Sequence, residues 1–189
     1  MRRRIIAAPF ALAVVLAGCG NSDSEPREPR EPKATLQATL TRTDTHLSWQ
    51  WSLRNDDSTP IVVLDGPVAG TADQPQVWIT PGDNDTVEVA YRFLAPPDGV
   101  DVTQPIRQTG RTVAPGASIS GTAQVTRPLA VRHPYAGTFD PPLTLPGGSP
   151  EVRFCIGVIS ATDVTPQPGG AFAHLSSAVA KQRMTCTDG

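Results

Sequence analysis

Between His46 and Arg54 every second residue is large and apolar: Leu47, Trp49, Trp51 and Leu53 alternate with Ser48, Gln50, Ser52 and Arg54. A helix would scatter these side chains around its axis, whereas a strand gives each set its own face. The segment therefore demands a sheet with one buried side and one wet side. The same period recurs at Leu36, Ala38 and Leu40, at Val87, Val89, Tyr91 and Phe93, at Ile119, Ala123 and Val125, and at Val152, Phe154, Ile156 and Val158. Pro60 to Leu64 and Gln76 to Thr80 add two shorter runs. Turn-forming residues separate them, as in Asn55-Asp56-Asp57-Ser58, Pro81-Gly82-Asp83-Asn84-Asp85 and Pro115-Gly116. The 20 prolines spread along the chain disfavour long helices. Residues 34–189 are expected to form one all-β domain, a two-sheet antiparallel sandwich of about seven or eight strands.

Two stretches sharpen this. Trp51 to Leu64 (WSLRNDDSTPIVVL) resembles the second-to-third strand passage of bacterial immunoglobulin-like domains, and Val113 to Ser120 (VAPGASIS) resembles their Pro-Gly turn before a strand. The resemblance implies an immunoglobulin-like arrangement of the sandwich. It does not include the antibody-type tryptophan between two cysteines, and sandwich folds host unrelated functions. At the carboxyl end, Ala171, Leu175, Ala178 and Val179 give partial helical spacing. This spacing offers a helix over 172–183, but a loop followed by a last strand near 178–186 is the expected arrangement.

The amino end follows a different grammar. Arg2, Arg3 and Arg4 precede an apolar run, Ile5 to Leu16, which is too short to span a bilayer, a task for about 20 residues. Leu16-Ala17-Gly18-Cys19 then resembles the lipobox at which bacterial lipoproteins are cleaved and acylated. The resemblance implies that residues 1–18 are a signal peptide and that Cys19 becomes the mature amino terminus. The Cys19 sulfur would then carry acyl chains such as palmitate. Each buried methylene contributes roughly 0.8 kcal/mol, so two or more chains tether a protein stably. The lipid bilayer becomes a partner through Cys19, and the chain would sit on the extracytoplasmic side of a cell membrane. Residues 19–33 carry the repeat Glu25-Pro26-Arg27-Glu28-Pro29-Arg30-Glu31-Pro32, which has no apolar residue to bury and reads as a disordered or extended spacer.

Loss of the leader lowers the basic count from 16 to 13 against 18 acidic residues, leaving a net charge of −5. That argues against nucleic acid, which wants clustered Lys and Arg. Two cysteines remain in the folded part, Cys155 and Cys186, and in an oxidising compartment they are expected to form a disulfide. Cys155 falls on the opposite face from Phe154 and Ile156, which puts the bond on the outer face unless Cys155, Gly157 and Ile159 face inward.

Catalytic signatures fail. Gly116-Ala117-Ser118-Ile119 continues with Ser120 where a nucleophile elbow needs glycine, no His-Glu-x-x-His occurs, and His46, His133 and His174 stand apart. Asp83-Asn84-Asp85 starts like a calcium loop, but Val87 stands where an oxygen ligand is wanted, so a polar hairpin turn is expected. No catalytic residue, metal or cofactor is assigned. Arg127 to Pro150 is the longest stretch without strand pattern, and its Arg132, His133, Tyr135 and Phe139 are the candidate partner-binding residues, since aromatics and arginine dominate interface hot spots. The competing view is a proline-stiffened cover over one end of the sandwich. The expected role is a non-enzymatic binding, accessory or scaffold module of the cell envelope, whose partner is an envelope protein or glycan. The alternatives are a hydrolase using His133 with Asp140 or Asp101, and a small-ligand carrier with an apolar cavity between the sheets.

Overall fold

The computed structural model describes residues 31–70 and 76–187. The expected signal peptide, the lipidation at Cys19 and the spacer up to Arg30 lie outside the described residues.

The chain folds as an all-β protein. Strands β1 (Ala34–Arg42), β2 (His46–Asn55) and β8 (Ser118–Thr126) make an antiparallel sheet in the order β1-β2-β8. Its register is unbroken, from Ala34 opposite Asn55 to Arg42 opposite Leu47, and from His46 opposite Thr126 to Arg54 opposite Ser118. The alternation read in the sequence thus holds along all three strands. Leu47, Trp49, Trp51 and Leu53 are buried, while Gln50 and Arg54 are exposed.

The facing sheet runs β4 (Trp78–Pro81), β5 (Val87–Tyr91), β9 (Val152–Ser160), β3 (Ile61–Val63) and β7 (Arg111–Val113), and β11 (Arg183–Cys186) also pairs with β9. This sheet corrects the expectation of a purely antiparallel sandwich, because β5 and β9 run parallel, with Val89 beside Phe154. A parallel pair needs a long crossover. Residues 92–151 supply it by passing through β7 and β8 before returning. The strand count is also higher than expected: eleven among the described residues. Several are three-residue strands too short to show a period.

The two inner faces meet in an aromatic core. Trp49 stacks on Phe154 with ring centroids 5.5 Å apart, Tyr91 meets Phe154 edge-on at 6.1 Å, and Trp51 meets Tyr91 at 5.9 Å. Offset and edge-to-face pairs of this kind are worth about 0.5–1.5 kcal/mol beyond the area they bury. Leu53, Ile61, Val63, Val87, Val89, Ile156 and Val158 fill the remaining space.

The outer face of the second sheet is not wet. Val62, Leu64, Phe93 and Ile159 form a second cluster with Phe172 and Ala178. Phe172 lies on β10 (Ala171–Ala173), which pairs with β6 (Arg107–Thr109), and Ala178 lies on the short helix α1 (Ser176–Val179). The cause is visible in β9, where Phe154 through Ile159 are all buried: a strand covered on both faces loses its alternation. Phe93 belongs to this outer cluster and not to the inner row of Val87, Val89 and Tyr91. The C-terminal strand likewise starts at Arg183, later than expected, because Ser176–Val179 forms helix to cover β3 and β9.

Two turns show why their residues are there. Asn84 and Asp85 both have positive φ, 55° and 57°, the signature of a primed hairpin turn between β4 and β5. Pro115-Gly116, with Gly116 at φ 71°, turns the chain into β8.

Candidate functional site

Arg127 to Pro150 is stitched to the sandwich. Arg132 exchanges both backbone hydrogen bonds with Ile79, at 2.9 Å each, extending the sheet by one bridge. A 3-10 turn, Ala136–Thr138, follows, and the Thr138 hydroxyl donates to the Tyr135 carbonyl at 2.8 Å. Tyr135 faces inward with 6% of its surface exposed, and its hydroxyl accepts the Ile106 backbone N–H at 3.3 Å. Tyr135 is therefore corrected from a displayed anchor to an internal strut joining two loops. His133 and Phe139 are half-buried and pack edge to face at 4.8 Å, while Arg132 is exposed. The structure brings His133, Tyr135 and Phe139 together, with Arg132 beside them pointing its charge to solvent. A cleft of 480 Å³ opens beneath the loop, lined by Arg42, Arg127, Leu129, Leu145 and Val152.

The histidines have unusual environments. His133 accepts the Tyr135 N–H on Nδ1 at 3.1 Å, and burial followed by the positive charge of Arg92 pulls its pKa down to about 4. His174, 1% exposed, accepts the Leu94 N–H on Nδ1 at 3.1 Å and lies against Trp78 and Phe93. Burial is the main force holding its pKa at about 4 as well, and His133 pushes in the same direction. An imidazole whose Nδ1 accepts a hydrogen bond carries its proton on Nε2. Neither ring then offers a free lone pair to a metal or to a substrate proton, and a metal-bound histidine normally donates from its second nitrogen instead. Sequence reasoning held His174 to be an ordinary single histidine and missed its burial, which depends on the fold over of β10.

A third cluster closes the side of the sandwich between β8 and β7. Asp65 and Arg111 form a salt bridge, with Arg111 Nε 2.7 Å from the carboxylate, and the guanidinium lies 5.6 Å from the centre of the Trp51 ring. Arg111 also donates to the Ser120 carbonyl at 3.0 Å, and the Tyr91 hydroxyl donates to the Thr122 carbonyl at 3.3 Å. Burial, then the nearby Asp65 carboxylate, raises the Tyr91 pKa far above its ordinary value, so the phenol stays protonated. Strand β8 ends its sheet, and exposed edge carbonyls invite strand addition. Here two side chains of the facing sheet occupy them. Gly121 is needed for this closure: a Cβ there would sit 2.7 Å from Trp51 Cζ2. The recess left outside measures 360 Å³. No spacing in the sequence marks Asp65 with Arg111. The β3–β7 pairing, with Val63 opposite Arg111, brings them together.

Cys155 and Cys186 are bonded and stand directly opposite each other on β9 and β11. Cys155 occupies the face opposite Phe154 and Ile156, the outer one, and is itself buried there while Cys186 is exposed. The bond staples the last strand to the middle of the second sheet.

Against protein-family models, curated proteins and solved structures the chain finds no match.

Proposed function

We propose that this chain is a lipid-anchored module on the extracytoplasmic face of a bacterial membrane, holding a β-sandwich that binds an envelope protein or glycan and performs no chemistry of its own. The observation that carries the reading is Leu16-Ala17-Gly18-Cys19 directly behind the apolar run Ile5 to Leu16. Removal of the run at the glycine would leave Cys19 to take the acyl chains. The Cys155–Cys186 bond suits the oxidising compartment that such export reaches. The non-enzymatic part rests on buried His174 and half-buried His133, whose Nδ1 atoms are both spent on backbone N–H groups. A hydrolase built on His133 with Asp140 or Asp101 would need that lone pair free.

Flotation of membranes from bacteria making the wild-type chain and the Cys19→Ser variant tests the anchor. The wild type is expected in the floating membrane fraction and the variant in the soluble one, and a variant that still floats would refute lipid anchoring at Cys19. A photo-reactive residue at exposed Arg132, and not at buried Tyr135, reads a protein partner at the loop.

A further inference from the structure

The wet face of the three-stranded sheet is unlike the rest of the surface. Its central row runs Thr39, Gln50, Thr122 across β1, β2 and β8, and the next row runs Gln37, Ser52, Ser120. Thr41, Ser48 and Gln124 continue it on the other side. Charged residues are 18% of the chain, so an even spread would place about two among these nine positions, and none is there; Arg54, on the same face in the end row, is paired with Asp56 at 3.4 Å. Among the described residues, none of the nine side chains hydrogen-bonds to another group of the chain; in the end rows, Thr35 donates to Asp56 at 2.6 Å and the His46 ring bonds the Thr45 hydroxyl at 2.7 Å. A depression of 520 Å³ lies across this face, lined by the residues of the first two rows and by Ala38, Trp51 and Gly121 between them.

We infer that this face is a docking surface for a neutral, hydroxyl-rich polysaccharide. The inference deepens the reading of the chain as an envelope binding module and rests on it for its setting. The partner follows from what the face can offer. Hydroxyl and amide groups both donate and accept, which matches the mixed donors and acceptors of sugar hydroxyls. Unbroken register sets them about 4.8 Å apart between strands and about 6.8 Å apart along them, a repeating grid suited to a repeating polymer. Threonine is stiff at χ1, and serine and threonine lose less rotamer freedom than lysine or glutamate, so many weak bonds form at low entropic cost. The other macromolecules ask for what the face lacks: clustered cations for nucleic acid, aromatic and arginine anchors for a protein, an apolar patch for a lipid surface.

Co-sedimentation of the full chain with microcrystalline cellulose, chitin and starch granules tests the proposal, using the wild type, Gln50→Glu, Thr122→Glu and Gln104→Glu. The first two variants put an unpaired carboxylate inside the grid, and Gln104→Glu makes the same charge change on an exposed loop elsewhere. The expected result is saturable binding to at least one polymer that holds from low to high salt. It should weaken about tenfold or more in Gln50→Glu and Thr122→Glu, with thermal stability unchanged, and persist in Gln104→Glu. No binding to any of the three polymers, equal binding by all four proteins, or binding that collapses with salt would overturn it. Membrane flotation reads the anchor separately, so a failure here with flotation intact removes this surface and leaves the proposed location standing.

Discussion

His174 makes the acid sensitivity of the fold calculable. Its folded pKa is about 4, against roughly 6.5 for an unfolded histidine, so between these values the unfolded chain binds a proton that the native chain refuses. Stability attributable to His174 is intact above pH 6.5, falls as the pH drops, and levels off below 4. Integrating the proton difference from pH 7 to pH 5 gives a loss of about 1.8 kcal/mol for one such residue. His133, with the same folded value but only half-buried, adds to this loss by less than His174 does, because solvent screens it. The window stops at pH 5 because ordinary carboxylates begin to titrate just below it. Charges bearing on the pair are Arg92, which lies near His133 and is held by Glu88 at 2.6 Å, and His133, which bears on His174. Urea unfolding of the oxidised protein at pH 7, 6 and 5 measures the slope. His174→Asn keeps an acceptor for the Leu94 N–H but does not titrate, and it is expected to lose less than half as much stability over the window as the wild type. If His174→Asn loses as much as the wild type, His174 is protonated in the native state and its burial has been misjudged.

Reducing the Cys155–Cys186 bond opens a loop of 31 residues, and the chain-entropy relation gives about 3.7 kcal/mol at 25 °C. The urea midpoint should fall accordingly in the Cys155→Ser, Cys186→Ser double variant, and an unchanged midpoint would show that the staple adds nothing to the packing of β11 on β9. Gly121→Ala should cost about 1–3 kcal/mol, because Trp51 is hemmed in by Tyr91 and Arg111 and cannot retreat from a new methyl group. Thermal unfolding with tryptophan emission checks it, and a variant as stable as the wild type would mean that the indole moves freely.

How much of this molecule its sequence displays depends on whether a side chain's task is local or distant. Strand β2 announces itself because one face meets the core and the other meets water, so period two is written into Leu47 to Arg54. Strand β9 announces only its inner half, Val152, Phe154, Ile156 and Val158; the outer half, where Cys155 bonds Cys186 and Ile159 meets the layer made by β10 and α1, is buried too and from Cys155 to Ile159 carries no charged residue to mark a second face. That layer was only half legible: Leu175, Ala178 and Val179 give partial helical spacing around α1, but four residues of helix and three of strand carry too few positions to fix a period. They are held by packing on Val62, Leu64 and Phe93. The loop residues divide in the same way. An aromatic in a proline-rich stretch reads as a displayed anchor, yet Tyr135 is drawn inward because the Ile106 N–H, 29 residues away, needs an acceptor. Asp65 and Arg111, 46 residues apart, are joined only through a strand pairing. The uncharged grid on the outer sheet was readable from the start, since its nine residues are the polar half of the alternation that declared the strands. Its meaning needed the register, which alone turns three separate lists of serines, threonines and glutamines into rows on one surface.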